Sequence, residues 1–292
     1  MKKSFKVAGH IFSVDFPDRY PIWDMMGQYS PFEVPAGTGE EIFTLEGVPE
    51  LPDCGKTPVY TEVPQEEGQS RIELYRTGDG WRFEMAPTAH AAVCGIVETD
   101  LEYKHARLLL MPERGKALFA LNNALMVVYA FRTAGMGTLE MHASVVIRDG
   151  KGYLFLGKSG TGKSTHSRQW LERFPDTELL NDDNPILRVD EAGVARVFGS
   201  PWSGKTPCYR NLDVPVGAIV RIRQCPENKA TRQNLVEAYA SVYSSCSGLK
   251  AERSIADGLH QTLEQVVTKV PCFVLDCRPD HEAAEVCYEA VK

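Results

Sequence analysis

Residues 157–164 read Gly-Lys-Ser-Gly-Thr-Gly-Lys-Ser and constrain the fold of this chain more than any other segment. The apolar run Leu154-Phe155-Leu156 stands directly before them. The stretch from Lys163 to Phe174 has a helical pattern that ends before Pro175. Residues 178–181 are apolar enough to return as a strand. The sequence therefore predicts a strand, a glycine-rich loop, a helix and a second strand, in that order.

This loop has the residue types that bind a nucleoside triphosphate with magnesium. Its glycines let successive backbone N–H groups approach a phosphate without a Cβ in the way, at the positive end of the following helix. Lys163 is placed to reach the β and γ phosphates, and the Ser164 hydroxyl to ligate Mg²⁺. A flexible connector is the alternative, which the apolar run before the loop disfavours. The predicted nucleotide-binding residues are Gly157, Lys158, Ser159, Gly160, Thr161, Gly162, Lys163, Ser164 and Thr165.

Two carboxylates, Asp182 and Asp183, follow the second predicted strand. A strand that returns beside the glycine loop carries the residues at its end toward the phosphates. Adjacent carboxylates can divide two tasks, with one holding a metal and the other accepting a proton from a hydroxyl. A solvated turn over residues 182–185 is the structural alternative.

Composition limits the classes of partner. The chain has 39 acidic and 32 basic side chains and a net charge of -7, which disfavours nucleic acid and anionic membranes as partners. The polar residues after Lys2 and Lys3 exclude a signal peptide at this position, and the apolar stretch 117–131 is shorter than the roughly 20 residues of a membrane span. Eight scattered cysteines fit free thiols in a reducing compartment. We expect a soluble, cytoplasmic protein, and the sequence is compatible with a homo-oligomer.

The pattern divides the chain into a β-rich domain of unknown role, residues 1–112, and an α/β domain, residues 113–292. In the first, apolar positions change register around Gly9 and His10, which predicts one strand with a bulge. A hairpin is predicted across residues 72–85, and residues 33–70 are predicted to be mostly loops because they are rich in Pro, Gly and Glu.

The second domain has a helical pattern at 117–132 and a predicted hairpin of strands at 144–147 and 153–156. Beyond the Asp pair, strands are predicted at 186–189, 194–198, 216–223 and 270–276, and helices at 234–246, 252–268 and 280–291. His166, one turn into the helix after the loop, is predicted to pack or to face solvent.

Three segments carry a resemblance to a known family: Met141-His142-Ala143-Ser144, residues 157–165, and Leu180-Asn181-Asp182-Asp183. In this order they resemble the catalytic domain of HPr kinase/phosphorylase, whose superfamily includes phosphoenolpyruvate carboxykinase. In that fold a histidine precedes the phosphate loop and an Asp-Asp pair follows it. The resemblance covers residues 138–225 and continues more weakly to the C-terminus. It implies an α/β P-loop kinase domain that uses ATP and Mg²⁺.

The resemblance also implies roles for individual residues. Lys163 and Ser164 would handle phosphate and metal, Asp183 would act as the base, and Asp182 would support the metal. His142 would join their network, although a histidine before an apolar strand is by itself more often a core residue.

The chain departs from HPr kinases because it lacks their Glu-x-Arg-Gly segment, which argues against HPr itself as the acceptor. The comparable loop, residues 199–210, contains Lys205 and Arg210, which are candidates for stabilising charge on the transferred phosphate. A solvated surface pair is the alternative for these two cations. Trp202 in the same loop is predicted to anchor it.

Together these features predict an ATP- and Mg²⁺-dependent kinase that transfers the γ-phosphate to a hydroxyl of a protein serine or a small molecule. A nucleotide-dependent binding or regulatory module without turnover is the first alternative. A carboxykinase-like enzyme is the second, and it requires carboxylate-binding arginines that the sequence does not assign.

Overall fold

The chain divides after Arg132 into two compact units, residues 1–132 and 133–292. The computed structural model describes residues 1–17, 20, 22–55, 57–62, 70–111, 113–204, 206–250 and 252–292. The sequence pattern places the boundary at 112–113, before the long apolar helix. The structure instead assigns that helix to the first unit.

The first unit is a mixed β-sheet with one long α-helix, as the pattern of residues 1–112 predicts in outline. Among the described residues the strand order is β3-β1-β2-β4-β9-β8-β7-β6-β5. Its elements are β1 (Lys2–Val7), β2 (His10–Asp15), β3 (Glu33–Val34), β4 (Glu41–Gly47), β5 (Tyr60–Glu62), β6 (Arg71–Arg76), β7 (Gly80–Ala86), β8 (Gly95–Asp100), β9 (His105–Leu110) and α1 (Arg114–Thr133).

The first two strands form an antiparallel hairpin in which Val7 pairs with His10. The turn residues Ala8 and Gly9 have φ angles of 46° and 85°, and two successive positive values are typical of a two-residue hairpin turn. The prediction of one bulged strand is therefore wrong. The change of apolar register marks a chain reversal.

Residues 33–70 contain the strands β3, β4 and β5, and the other described residues of this range lie in no strand or helix, so the prediction of mostly loops holds there apart from β4. Residues 56 and 63–69 lie outside the described residues. β4 lies inside the sheet and runs parallel to both β2 and β9. Its Ile42, Phe43 and Leu45 are buried. The apolar run is short and is surrounded by turn-forming residues, so its burial between neighbouring strands decides its structure more than its local pattern does.

The helix α1 packs on the sheet of the first unit. The hydroxyl of Tyr129 donates to the carbonyl oxygen of Val7 at 3.0 Å. A Cβ on Gly95 would lie 2.3 Å from the Cβ of Ala120, so the helix and β8 approach closely there. The helical segment 115–136 is longer than the apolar stretch 117–131 read from the sequence, and it is long and apolar enough to cross a membrane. However, 56% of its most apolar part is buried inside the protein. A core helix meets the same criterion.

The second unit contains another mixed sheet and four α-helices among its described residues. The strand order is β10-β14-β15-β16-β12-β11-β13, and β18 pairs with both β16 and β17. Its elements are β10 (Thr138–Glu140), β11 (Ala143–Arg148), β12 (Lys151–Leu156), α2 (Lys163–Arg173), β13 (Glu178–Asp183), β14 (Ile186–Val189), β15 (Ala195–Phe198), β16 (Asp213–Gln224), β17 (Lys229–Arg232), α3 (Leu235–Tyr243), α4 (Arg253–Lys269), β18 (Cys272–Cys277) and α5 (His281–Val291).

The predicted order of strand, loop, helix and strand around residues 157–164 is present as β12, the loop, α2 and β13. The later strands and helices also lie where the pattern predicts them. The short strands β10 and β17 have no counterpart among the predictions, because three or four residues give too little periodicity to read.

Three neighbouring strands of this sheet, β12, β16 and β18, are parallel, with β16 between the other two. Their carboxyl ends therefore meet at one edge of the sheet. A buried core that includes Phe155, Trp170, Val220, Leu275 and Cys287 packs α2 and α5 against the strands. Ligands of α/β proteins bind at the carboxyl ends of strands, and the glycine loop follows β12 at this edge.

Candidate functional site

The glycine loop forms an open turn that leads into α2. Thr161 donates to the carbonyl oxygen of Lys158 through its N–H at 3.2 Å and through its hydroxyl at 2.7 Å. Gly160 and Gly162 have φ angles of 76° and 106°, which strain any residue with a Cβ. No side chain caps the start of α2. Its first N–H groups therefore remain available for an anion.

The ammonium group of Lys163 lies beneath this loop. Its Nζ donates to the carbonyl oxygen of Gly157 at 3.0 Å and to that of Lys158 at 3.4 Å. The residue is 8% exposed. Burial lowers the pKa of Lys163, and the carboxylates of Asp183 and Asp182 oppose that shift. A buried cation surrounded by loop carbonyls and two carboxylates is placed to exchange those carbonyls for phosphate oxygens.

His142 connects Lys163 to the Asp pair. Its Nε2 lies 3.0 Å from Lys163 Nζ and 3.3 Å from Asp183 Oδ1. The strand β11 begins one residue later, and Ala143 pairs directly with Asp183, so the ladder sets this proximity. The side chains of His142 and Asp183 are 41% and 39% exposed. The structure thus brings together His142, Lys163 and Asp183, as the resemblance implies, and leaves the side chains of His142 and Asp183 partly exposed.

Asp183 has a strained backbone, with a φ of 146°, a region that residues other than glycine rarely enter. The loop after β15 holds it there. Gly204 donates its N–H to the carbonyl oxygen of Asp182 at 2.6 Å, and Ser203 Oγ donates to the same oxygen at 3.2 Å. A Cβ on Gly204 would lie 3.1 Å from Asp183 Cβ, so the approach requires a glycine or a small shift.

Asp182 and Ser164 provide the oxygen atoms that a magnesium ion prefers. Asp182 is 3% exposed and Ser164 is exposed at the first turn of α2. In the part of the chain that the structure describes, no three His, Cys, Asp or Glu side chains gather into a metal site. Mg²⁺ commonly takes only one or two carboxylates and completes its shell with phosphate and water. These two residues therefore fit a nucleotide-bound magnesium ion.

Residues 199–204 are held in place by backbone contacts. Trp202 is 2% exposed, and its carbonyl oxygen accepts from Asn181 Nδ2 at 3.0 Å. Arg210 does not lie with the site residues: its Nη2 is 2.6 Å from Glu178 Oε2, and its Nη1 donates to the Leu179 carbonyl at 3.0 Å. These partners stand at the amino end of β13, whereas Asp183 ends it. Lys205 lies outside the described residues.

Arg221 is a second cation near Lys163 that the sequence-based prediction missed. It pairs with Leu156 across the parallel ladder of β12 and β16, directly before the glycine loop. Its Nε donates to Ser241 Oγ at 2.6 Å, and its Nη2 to Ser244 Oγ at 2.7 Å, at the carboxyl end of α3, where the helix dipole favours a cation. Arg221 lowers the pKa of Lys163 further. Its place near the end of a predicted strand beside the loop was the available signal.

Glu140 was also missed. It is 2% exposed, and neither carboxylate oxygen has a hydrogen-bond partner among the described residues. Burial and the negative charge of Asp183 raise the pKa of Glu140 to about 8. An uncharged acid near Asp183 spares the site a second buried negative charge.

Comparison with solved structures shows similarity to a known kinase/phosphatase. The HPr(Ser) kinase/phosphatase from Coxiella burnetii is similar in structure over 52% of this chain and 95% of its own chain, at 12% sequence identity and a TM-score of 0.32. No family model and no curated protein matches the sequence.

Proposed function

We propose that this chain is an ATP- and Mg²⁺-dependent phosphotransferase that moves the γ-phosphate to a hydroxyl group. One observation carries the proposal. His142 Nε2 lies 3.0 Å from Lys163 Nζ and 3.3 Å from Asp183 Oδ1, beneath the glycine loop. The helix α2 that follows this loop has no side-chain cap at its start. A phosphate-binding cation, a proton-accepting carboxylate and a histidine between them are the groups that such a transfer uses.

The loop and Lys163 bind and orient the triphosphate. Backbone N–H groups of the loop and of the first turn of α2 donate to phosphate oxygens. Lys163 leaves the carbonyl oxygens of Gly157 and Lys158, which hold it in the free protein, and neutralises charge on the β and γ phosphates. Desolvation of this lysine strengthens its attraction to a phosphate oxygen.

Asp183 accepts the proton of the acceptor hydroxyl, and His142 orients its carboxylate. The hydroxyl oxygen forms a bond to the γ-phosphorus while the bond from that phosphorus to the β–γ bridging oxygen breaks. The proton passes to Asp183, and the electron pair of the broken bond stays with ADP. Ser164 and Asp182 would hold Mg²⁺, which supplies charge neutralisation at the phosphates when bound. The proposal includes a cytoplasmic location, where ATP is abundant and the eight free thiols remain reduced.

A nucleotide-dependent binding module is the second candidate, and one observation favours it. Arg210, a cation that could stabilise the transferred phosphate, is bound at the other end of β13. Such a module would bind ATP and change partner affinity without turnover.

The proposal is tested with γ-labelled ATP, Mg²⁺ and a cell lysate split into protein and metabolite fractions. The wild type and Asp176→Asn, an exposed aspartate before β13, should transfer label to one of the fractions. Asp183→Asn should bind ATP and transfer at least about a hundredfold less. If all three proteins bind ATP and none transfers label, the phosphotransferase proposal fails and the result favours a nucleotide-dependent binding module.

A further inference from the structure

A cavity of about 550 Å³ lies beside the glycine loop and is lined in part by Gly160, Thr161 and Gly162. Its walls come from the segments that follow β12, β16 and β18, at the shared carboxyl edge of these parallel strands, and from the first turns of α2. Volumes of a few hundred Å³ are typical of sites for small molecules. Gly160, Thr161, Gly162 and Thr165 of the glycine loop and the start of α2 are among its lining residues, and the remaining lining residues have no part in the proposed phosphotransfer.

One helical face connects the cavity to the phosphate loop. Gly162, Thr165, His166 and Gln169 line the cavity and follow the i, i+3, i+4, i+7 spacing of a single face of α2. Lys163 and Ser164 project from other sides of the same turn. A triphosphate over the start of α2 therefore has its catalytic groups on one flank and this cavity on another. On the opposite wall, Gln224 Nε2 lies 3.4 Å from the carbonyl oxygens of Gly160 and Thr161.

His166 presents an unused donor in this wall. Trp170 Nε1 donates to His166 Nε2 at 3.0 Å, so the neutral ring carries its proton on Nδ1. Burial lowers the pKa of His166 to about 4 and outweighs an interaction with the Gln169 side chain that raises it, so the ring stays neutral. Although His166 is 2% exposed, its Nδ1 meets no acceptor at full hydrogen-bond geometry in the described part of the chain. A buried N–H without an acceptor is costly, and the adjoining cavity is where an acceptor would enter.

We propose that this cavity receives the nucleoside part of the triphosphate and that His166 Nδ1–H donates to an acceptor atom of the nucleoside. The inference rests on the proposed function, because it assumes a triphosphate on the glycine loop. Gln169, which is 5% exposed, and Gln224 add amide groups that can both donate and accept. The side chain of Ile222 and the rings of Pro226 and Pro279 supply apolar walls for a flat base.

The first test compares ATP with inorganic tripolyphosphate, in the presence of Mg²⁺, by titration calorimetry. Pro226→Trp fills the cavity from its apolar wall, and Arg168→Trp places the same side chain on an exposed face of α2 as a control. The wild type should bind ATP at least about tenfold more tightly than tripolyphosphate, and Pro226→Trp should remove that advantage while tripolyphosphate affinity changes less than about twofold. Arg168→Trp should match the wild type.

Two other outcomes overturn the inference, and they differ. If the wild type binds ATP and tripolyphosphate equally, or Pro226→Trp weakens both, the nucleoside does not occupy the cavity although the loop still binds phosphates. If the wild type binds neither ligand, the proposed function itself fails and the cavity assignment fails with it.

A second measurement examines His166 without changing the chain. In protein labelled with ¹⁵N-histidine, the Nδ1–H resonance of His166 should move when ATP is added and stay in place with tripolyphosphate. His142 provides an internal comparison, because its ring should respond to both ligands. If the calorimetry supports the cavity but the His166 Nδ1–H resonance does not shift when ATP is added, His166 does not contact the nucleoside and its assigned role is wrong.

Discussion

Each end of β13 places a carboxylate beside a basic side chain, in different settings. At its amino end, Glu178 and Arg210 form a close ion pair at 2.6 Å, and the guanidinium also binds a backbone carbonyl. At its carboxyl end, Asp183 lies 3.3 Å from His142 and has a strained backbone. The first pair satisfies its own charges. The second keeps partly exposed groups beside the glycine loop, which is the setting that the proposed phosphotransfer requires.

The largest expected effect separates the cations at these two ends. Lys163→Met should lower the rate of label transfer from γ-labelled ATP by roughly 10²- to 10³-fold, because it removes the charge that stabilises the phosphates. Arg210→Met should change that rate by less than about twofold, because its partners are Glu178 and a carbonyl. If Arg210→Met loses as much activity as Lys163→Met, residues 199–210 must move onto the bound nucleotide.

The glycines near each end should also respond differently. A Cβ on Gly199 would lie 2.0 Å from the carbonyl oxygen of Arg210, so Gly199→Ala should lower the free energy of unfolding by about 1–3 kcal/mol. The Cβ of Gly204→Ala would meet Asp183 at 3.1 Å, and this variant should keep most of its stability and lose about tenfold in transfer rate. Urea unfolding and label transfer on both proteins distinguish the two effects. Equal losses of stability would contradict the distinction.

Features that depend on residues adjacent in the sequence could be predicted, whereas features that depend on strand pairing or burial could not. The glycine loop, Asp182 and Asp183 were identifiable because adjacent residues carry their chemistry. Arg221 and Glu140 were missed because their significance comes from strand pairing and burial, which no local pattern contains. In the first unit, β4 was taken for a loop because its stability comes from the strands on either side.

The carboxyl end of β13 also lies near the uncharged acid Glu140, whose effect should appear in stability. Its pKa is about 8 in the folded protein, against 4.5 for a free glutamate. The folded chain therefore keeps a proton that the unfolded chain loses, and stability falls as the pH rises from about 5 to 8. Glu140→Gln should remove up to about 1.4 kcal/mol per pH unit of that decline. Urea unfolding of both proteins at about pH 5.5, 6.5 and 7.5 measures how the free energy of unfolding changes with pH. Parallel curves for the two proteins would show that Glu140 is ionised in the fold.

The smallest expected effect concerns the ion pair at the amino end. Glu178 is 62% and Arg210 36% exposed, so solvent screens their attraction. Glu178→Gln should reduce the free energy of unfolding by at most about 1 kcal/mol, because exposed pairs contribute little. Thermal unfolding measures this change, and label transfer should match the wild type. A clear loss of transfer would mean that this end of the strand positions the Asp pair.

The most direct test of a single phosphotransfer centre is a double-mutant cycle on Asp183 and His142, read as the rate of label transfer. Asp183→Asn and His142→Gln should each lower the rate by about 10²-fold or more, and the double variant should be no slower than the slower single variant, because the residues act as one unit. If the two losses multiply in the double variant, or if either single variant keeps the wild-type rate, His142 and Asp183 do not work together and the proposed centre is wrong.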